Sequence, residues 1–375
     1  MIDVLIVGAG PAGSLAALRL ARAGASVLVL ERARFPRHKL CGDTINPGAV
    51  RELELAGVAG CIMPHAMAIA GMRVTGAGGA AVDASYPDDL AGLSISRETL
   101  DSLLADSARA AGARIEFGAR VTGPVVDARG RVSGVSVMCA SKREPVSVPA
   151  RLTIAADGRR SAIGMQLGLA RHPQRRRWAV GAYFDGVDGM RAAGEMHIRG
   201  GAYLGIAPLP GGVTNVCFVT SRRTGWRDPD EQLRAAIESS PEIRERFANA
   251  RRVSAVSVLG PLAVDAPVAG CPGLLLAGDA AGFIDPMTGD GMRFAFAGAR
   301  LAADAALSAL DGGDTVTAWQ GLTRRRQQLF AAKWRFNRTL AALVDHPAGV
   351  GLASAGARIA PALVRRLIAI AGDAA

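Results

Sequence analysis

The chain has 375 residues, half of them apolar, and its 44 basic and 33 acidic residues leave a net charge of +11. That length suits two intertwined domains around a sizeable core. Aromatic residues make up only 5% of the chain, too few for the stacking platforms of a nucleic-acid binder. The basic excess, almost all arginine beside Lys39, Lys142 and Lys333, reads as solvated surface in runs such as Arg175-Arg176-Arg177 and Arg324-Arg325-Arg326.

Cys41, Cys61, Cys139, Cys217 and Cys271 are odd in number and contain no CxxC pair, which predicts a reducing compartment without a disulfide framework. The histidines are scattered, so no metal site is expected. No apolar stretch reaches the roughly 18 residues needed to span a bilayer, and the start has no basic leader, so a cytoplasmic protein is expected.

The chain opens on Asp3-Val-Leu-Ile-Val-Gly8-Ala-Gly10-Pro11-Ala12-Gly13, passes an Ala/Leu-rich segment and reaches Ser26-Val-Leu-Val-Leu-Glu31-Arg32. This reads as strand, glycine turn, helix, strand and acid. A continuous apolar run such as Val4 to Val7 suits a parallel strand buried on both faces. Gly8 permits the turn, Gly10 lets a pyrophosphate approach the backbone, and Gly13 lets the helix pack on the strand. Glu31 stands where a carboxylate accepts from ribose hydroxyls. The stretch predicts a dinucleotide site and leaves open whether the nucleotide is NAD or FAD.

The turn-rich segment 33–48 predicts an ordered functional loop, because Phe35, Leu40 and Cys41 stand among its charges. A helix is expected from Ala49 to about Leu55. Short β-type pieces at 68–75 and 80–86 predict an antiparallel insertion. Ser96 is the expected N-cap of a helix carrying Leu100, Leu103, Leu104 and Ala108 on one face. A strand at 114–117 and a meander over 119–155 lead to Ala156-Asp157-Gly158-Arg159-Arg160-Ser161. More short strands (178–219), a helical stretch (229–250) and a strand (253–259) follow. A buried strand, Gly273 to Gly278, and an Ala-rich helix (294–310) then return the chain to the first domain, and the tail from Thr315 is helical and basic.

Three distant motifs line up: the N-terminal fingerprint, Asp157-Gly158-Arg159-Arg160-Ser161, and the run from Gly278-Asp279 through Pro286-Met-Thr-Gly289-Asp-Gly291-Met292. In order and spacing they resemble the glutathione-reductase-type FAD proteins, in the branch of aromatic hydroxylases, flavin-dependent halogenases and geranylgeranyl reductases, over residues 1 to about 310. The resemblance implies an α/β protein: a Rossmann-type FAD-binding domain (1–61, 96–170 and 266–310), an inserted α+β substrate domain (62–95 and 171–265) and a C-terminal helical region (311–375). It implies that Gly8, Gly10, Pro11, Ala12 and Gly13 hold the nucleotide and Glu31 its ribose, with Arg32 or Arg97 near the diphosphate or ribityl chain. Lys39, Cys41 and Val121 join the cofactor set. Asp157 and Gly158 lie at the flavin cleft, Gly278 and Asp279 at the ribityl hydroxyls, and Pro286, Gly289, Gly291 and Met292 along the pyrimidine edge of the flavin. Hydride addition leaves negative charge at that edge, which backbone N–H groups at a helix start can receive.

The run Gly289 to Ala303 is similar to the reductases, whereas hydroxylases place Asn at the position of Arg293. Lys39-Leu40-Cys41-Gly42 resembles the reductases' cysteine-glycine loop, which makes Cys41 a candidate proton donor or positioning group. A buried inert thiol is the other reading. Asp43, a second catalytic candidate, replaces the glycine usual there and resembles the Gly-Glu-Ser-x-x-Pro loop of halogenases. The halogenases' Trp-x-Trp-x-Ile-Pro signature is missing, and Tyr203 to Pro208 keeps only part of the reductases' strand motif.

The resemblance implies an FAD-dependent oxidoreductase passing hydride to an apolar unsaturated or aromatic small molecule. With no second GxGxxG, NAD(P)H visits the same cleft transiently or an external reductase serves as donor. An FAD-dependent monooxygenase, hydroxylating or epoxidising through oxygen at the flavin C4a, is the alternative, and a non-catalytic flavin-binding sensor the second. In the tail, Leu352, Ala355, Ile359, Leu363, Leu367 and Ile370 stand opposite Arg358 and Arg365, with Pro361 breaking or restarting the helix. This face either packs on the protein's own substrate domain or makes a peripheral contact with the inner face of a membrane.

Overall fold

Strand Val4–Val7, wholly buried, pairs in parallel with Val27–Glu31 on one side and Leu152–Ala155 on the other. The sheet continues to Arg114–Phe117 beyond the first and Leu274–Leu276 beyond the second, and Gly270–Cys271 runs antiparallel at that edge. The computed structural model describes residues 1–375 apart from 88–89, 139–143, 175, 222–227, 346 and 375, and apart from the side chains of 347, 352 and 357. Cys139, Lys142, Arg175 and the side chain of Leu352 therefore lie outside the described residues.

Both faces of the central sheet are covered, which is why its strands are uninterrupted apolar runs. Val4, Ile6, Val27 and Val29 pack under helices Pro11–Arg22, Arg97–Ala110 and Gly291–Asp311. Leu5, Leu28 and Leu30 pack against Val132, Val135 and Val137 of a three-stranded sheet formed by Arg120–Val126, Val132–Met138 and Val146–Pro149. Ser96 caps its helix as expected, its hydroxyl accepting from the Thr99 N–H at 3.2 Å.

A second, larger sheet is built from the antiparallel strands Trp178–Asp185, Val213–Thr220, Ala202–Pro208 and Gly194–Arg199, extended by Gly71–Thr75 and Ala81–Ser85. Leu204, Ile206 and Val216 on one face pack under helices Pro229–Glu238 and Pro241–Arg246. The opposite face turns Tyr203, Cys217 and Val219 toward Leu40 and Met287.

Several elements differ from expectation. The stretch 68–75 is two strands in two sheets: Met67–Ile69 pairs with Gly92–Ser94, while Gly71–Thr75 enters the large sheet. Gly71 sits at that junction, where a Cβ would lie 2.2 Å from the carbonyl oxygen of Ala84. Pro241 restarts the helical stretch 229–250, and the strand expected at 253–259 shrinks to Ser257–Leu259. The arginine runs are not wholly solvated, because Arg177 and Arg326 are buried. Arg177 meets two carboxylates, and Arg326 donates to the Ala281 carbonyl at 2.7 Å.

Helices Ala318–Asp345, Pro347–Ile359 and Pro361–Ala371 complete the chain, the last two resting on the Ala81–Ser85 side of the large sheet. The break at Pro361 divides the apolar stripe: Val364 and Ile368 turn inward, while Ile359 and Leu363 remain 85% and 60% exposed. Among the described residues no helix is long and apolar enough to cross a membrane.

Candidate functional site

At the carboxyl end of Val4–Val7 the chain turns through Gly8 (φ +96°) into helix Pro11–Arg22. A Cβ on Gly8 would lie 2.6 Å from the Ala156 oxygen, and one on Gly13 would lie 1.8 Å from the Gly8 oxygen. Pro11 starts the helix where no N–H is needed, and Gly278 closes in so tightly that a Cβ there would lie 2.9 Å from Ala12 Cβ. At Gly10, by contrast, a Cβ would meet only the Arg37 guanidinium, at 3.8 Å, so the turn is closed to side chains from within and open toward a ligand. Glu31 is buried and accepts from the Ala9 and Ala33 N–H groups at 2.8 and 2.9 Å, one on each oxygen.

Arg37, Lys39 and Arg97 gather beside this turn. Asp101, fully buried, takes Arg97 in a bidentate pair at 2.8 and 2.9 Å and Arg37 at 2.8 Å. The Arg97 charge and then burial push Lys39 down to about 8, although Asp279 and Asp101 pull the other way. Burial, then Arg160, pushes Arg159 down to about 10, with Asp279 opposing and the exposed Arg32 adding to the effect. Half-buried cations short of counter-charge at a glycine turn and helix N-terminus have the electrostatics of a phosphate site.

Asp157 accepts from the Ala162 N–H at 2.8 Å through Oδ2, burial raises it above the usual carboxylate range, and Gly158 beside it takes φ +82°. Val121 packs half-buried on the side of the central sheet that carries Leu28 and Leu30.

The loop after Lys39 brings two expected residues together. Asp43 adopts φ +54°, and its carbonyl accepts from the Ile95 N–H at 2.9 Å. Its buried carboxyl accepts through Oδ2 from the Tyr183 hydroxyl at 2.6 Å and Asn215 Nδ2 at 2.7 Å, while Oδ1 makes no hydrogen bond. Asn215 Nδ2 also donates to the Cys41 carbonyl at 2.9 Å. Burial pushes Asp43 up to about 7 against the pull of Tyr183, Asn215 and Arg97. Burial likewise raises the Cys41 thiol, with Arg97 opposing, and lifts Cys217 to about 12.

Loop 285–292 is held at both ends. Asp285 accepts from the Tyr203 hydroxyl at 2.8 Å, the Met287 N–H at 2.9 Å and Arg177 Nη1 at 2.8 Å. Arg177 also donates to Asp345 and, at 3.3 Å, to the Ala341 carbonyl. Asp290, between Gly289 (φ +68°) and Gly291, meets Asn46 at 3.2 Å, Asn337 at 3.0 Å and Lys333 at 3.3 Å. Lys333, Asn337, Ala341 and Asp345 recur at four-residue spacing, so one stripe of helix Ala318–Asp345 grips both ends of the loop. The sequence reading missed this stripe, together with Arg37, Tyr183 and Asn215. The spacing of Lys333, Asn337 and Asp345 along one line of the helix was the available signal.

Between this loop, the Cys217 face of the large sheet and the tail helices lies an apolar cavity of about 280 Å³. Gly42, Met287 and Gly289 form one end, Met196 and Val74 the sheet wall, and Leu340, Val364 and Ile368 the helical wall.

Residues 1–315 match the FAD binding domain family. The chain belongs to that family. The flavoprotein is 33% identical over 361 residues to menaquinone reductase of Mycobacterium tuberculosis, covering 92% of this chain and 84% of that protein. It is 33% identical over 325 residues to digeranylgeranylglycerophospholipid reductase 2 of Methanopyrus kandleri, covering 84% and 78%. It is an FAD-dependent oxidoreductase of the geranylgeranyl reductase-like group. Its fold superimposes with a TM-score of 0.81 and 23% identity on a geranylgeranyl bacteriochlorophyll reductase-like protein of Thermoplasma acidophilum, covering 93% and 89% of the two chains. A myxobacterial chondrochloren halogenase superimposes with a TM-score of 0.83 and 21% identity, covering 100% and 97%. The α/β architecture with a Rossmann-type FAD-binding fold and a helical C-terminal region is therefore the one expected. The open backbone at Gly10, the Glu31 carboxylate and the undercompensated Lys39 and Arg159 fit the diphosphate and ribose of this flavoprotein's cofactor.

Proposed function

We propose that this flavoprotein is a reductase that delivers hydride to an apolar unsaturated substrate, a quinone or a polyprenyl lipid, lying in the cavity beside loop 285–292. The cavity carries this reading, because its walls are apolar from Met287 to Ile368 and the loop assigned to the flavin edge forms one end of it. The names of the two relatives, reductases of a quinone and of a geranylgeranyl lipid, support the same substrate class.

Bound and reduced, FAD supplies the hydride. The chain's part is to hold and shield it. Gly10 admits the diphosphate in the turn that Gly8 and Gly13 shape, with Lys39, Arg97 and Arg159 as counter-charge, and Glu31 and Asp279 accept from ribose and ribityl hydroxyls. Backbone N–H groups at Gly291 and Met292 receive charge at the flavin edge. In this reading residues 1–61, 96–170 and 266–310 serve the cofactor, 62–95 and 171–265 the substrate, and 311–375 close the cavity. NAD(P)H entering the same cleft, or an external reductase, reloads the flavin.

An apolar substrate is best collected from a bilayer. Ile359, Leu363 and Leu367 are exposed beside Arg358, Arg365 and Arg366, and residues 347–372 contain no acid. This surface rests on the cytoplasmic, anionic face of a membrane, next to the cavity wall formed by Val364 and Ile368.

The deciding experiment mixes dithionite-reduced, FAD-loaded protein anaerobically with a short-chain menaquinone or with geranylgeraniol. Flavin reoxidation with matching formation of reduced product is expected. Reoxidation only on admitting oxygen, with a hydroxylated product, would replace the reductase by a monooxygenase.

A further inference from the structure

We propose that helices Pro347–Ile359 and Pro361–Ala371 move as a pair to form a lid over the apolar cavity. Lys333 and Arg293 latch this lid at residues 370–373, and substrate enters when the latch lets go. The inference rests on the reductase reading above, which places the substrate in that cavity.

The packing of the second helix carries the assignment. Pro361–Ala371 is rich in apolar residues, yet none of them is buried. Val364 and Ile368 line the cavity, whereas Leu363, like Ile359 before it, is exposed on the outer surface. An apolar helix with no residue in a core is not held in place by hydrophobic burial. The first helix is anchored a little better, through buried Val350 and through Ser354, whose Oγ accepts from the Ala77 N–H at 3.0 Å. Val350, Ser354, Val364 and Ile368 all belong to the cavity wall, so moving the pair outward opens the cavity along its length.

Polar contacts gather instead at the end of the chain. Lys333 Nζ donates to the Ile370 and Ala371 carbonyls at 2.5 and 2.8 Å and to the Asp373 carboxylate at 3.1 Å. A cation there also meets the negative end of the helix dipole. Asp373 pairs with Arg293 as well, and the Gly48 N–H donates to the Gly372 carbonyl at 3.3 Å. Gly48 is needed for this approach, since a Cβ on it would lie 2.6 Å from the Asp373 side chain. Asp373 stands in the left-handed region at φ +55°, a conformation that its ion pairs hold in place. Lys333 lies 3.3 Å from Asp290 too, so one ammonium joins the seated lid to loop 285–292. An element fixed by a few charged contacts at one end opens locally at far lower cost than the fold around it.

The test locks the lid. A Cβ on Gly76, whose backbone is extended at φ −129°, would lie 3.4 Å from Ser354 Cβ, close to the spacing that a disulfide bridges. Gly76→Cys with Ser354→Cys is therefore oxidised, loaded with FAD, photoreduced and mixed anaerobically with short-chain menaquinone, the bridge being verified by mass afterwards. Flavin oxidation by menaquinone is expected to be about 10-fold or more slower in the bridged protein than in the same variant treated with dithiothreitol. Oxidation by dioxygen, which is small enough to need no open lid, is expected to be equal in the two forms. In a second variant, Asp373→Asn, the charge of the latch is lost while asparagine keeps the left-handed backbone. Trypsin is expected to cut it at the exposed Arg358, Arg365 and Arg366 sooner than it cuts the wild type. A bridged protein that reduces menaquinone as fast as its dithiothreitol-treated form overturns the lid alone, as does a bridge that fails to form or an Asp373→Asn tail cut no sooner. A wild-type protein that reduces neither menaquinone nor geranylgeraniol removes the reductase reading and the proposal with it.

Discussion

Asn337 donates a hydrogen bond of 3.0 Å to Asp290, fully buried between the two glycines of loop 285–292. The contact ties the loop to a helix that begins after residue 315, beyond the segment that matches the FAD-binding family. Replacing Asn337 by Leu removes one donor from a buried carboxylate. A loss of about 1–3 kcal/mol is expected, read as a lower Tm, with weaker FAD retention on gel filtration.

The glycines of the nucleotide turn separate steric from conformational need. Gly13→Ala places a methyl 1.8 Å from a backbone oxygen, and that backbone cannot yield without opening the turn. The purified variant is expected to be colourless. Gly158→Ala meets no atom within 4 Å and suffers only its positive φ, a cost of about 1–3 kcal/mol. It is expected to stay yellow, and the flavin absorbance per protein decides both cases.

Lys39 makes the stability of FAD-free protein depend on alkaline pH. The folded chain releases its proton near 8, whereas the unfolded chain holds it to the ordinary lysine value of 10.5. The unfolded state thus binds more protons between these values, and stability rises with pH across that window. Lys39→Met is expected to flatten the rise in urea titrations and to weaken FAD binding.

Asp101 is the shared counter-ion of two cations, Arg97 and Arg37. Asp101→Asn leaves the buried Arg97 and the half-buried Arg37 underpaired, for an expected cost of about 3–5 kcal/mol. Excess FAD should restore part of this by mass action, so the difference in midpoint between FAD-free and FAD-loaded protein is expected to widen.

Leu363→Glu combined with Leu367→Glu puts charge on the exposed tail surface. Co-sedimentation with phosphatidylglycerol vesicles is expected to fall, with flavin content unchanged. Unaltered sedimentation would assign the surface to something other than a membrane.

The glycine turn, the buried strands 4–7 and 27–31 and the Ser96-capped helix were legible in the sequence. Each is a local feature, written in consecutive residues by turn chemistry, helical spacing or an unbroken apolar run. Strand boundaries in the 68–75 and 253–259 regions were less legible, because which sheet a short apolar piece joins depends on the partner it meets.

By itself, then, the sequence determined the FAD-binding family, the position of the nucleotide turn and the loop that carries Cys41 and Asp43. Only the tertiary structure decided what those groups are chemically. Asp43 becomes a near-neutral acid because burial removes water from it, outweighing the opposite pull of Tyr183 and Asn215, which arrive from two strands of another sheet. Arg177, which its arginine run assigned to the surface, is buried because Asp285 and Asp345 converge on it from distant stretches of the chain. Desolvation and charge pairing depend on three-dimensional neighbours, and residues more than a hundred positions apart leave no local pattern by which to read them.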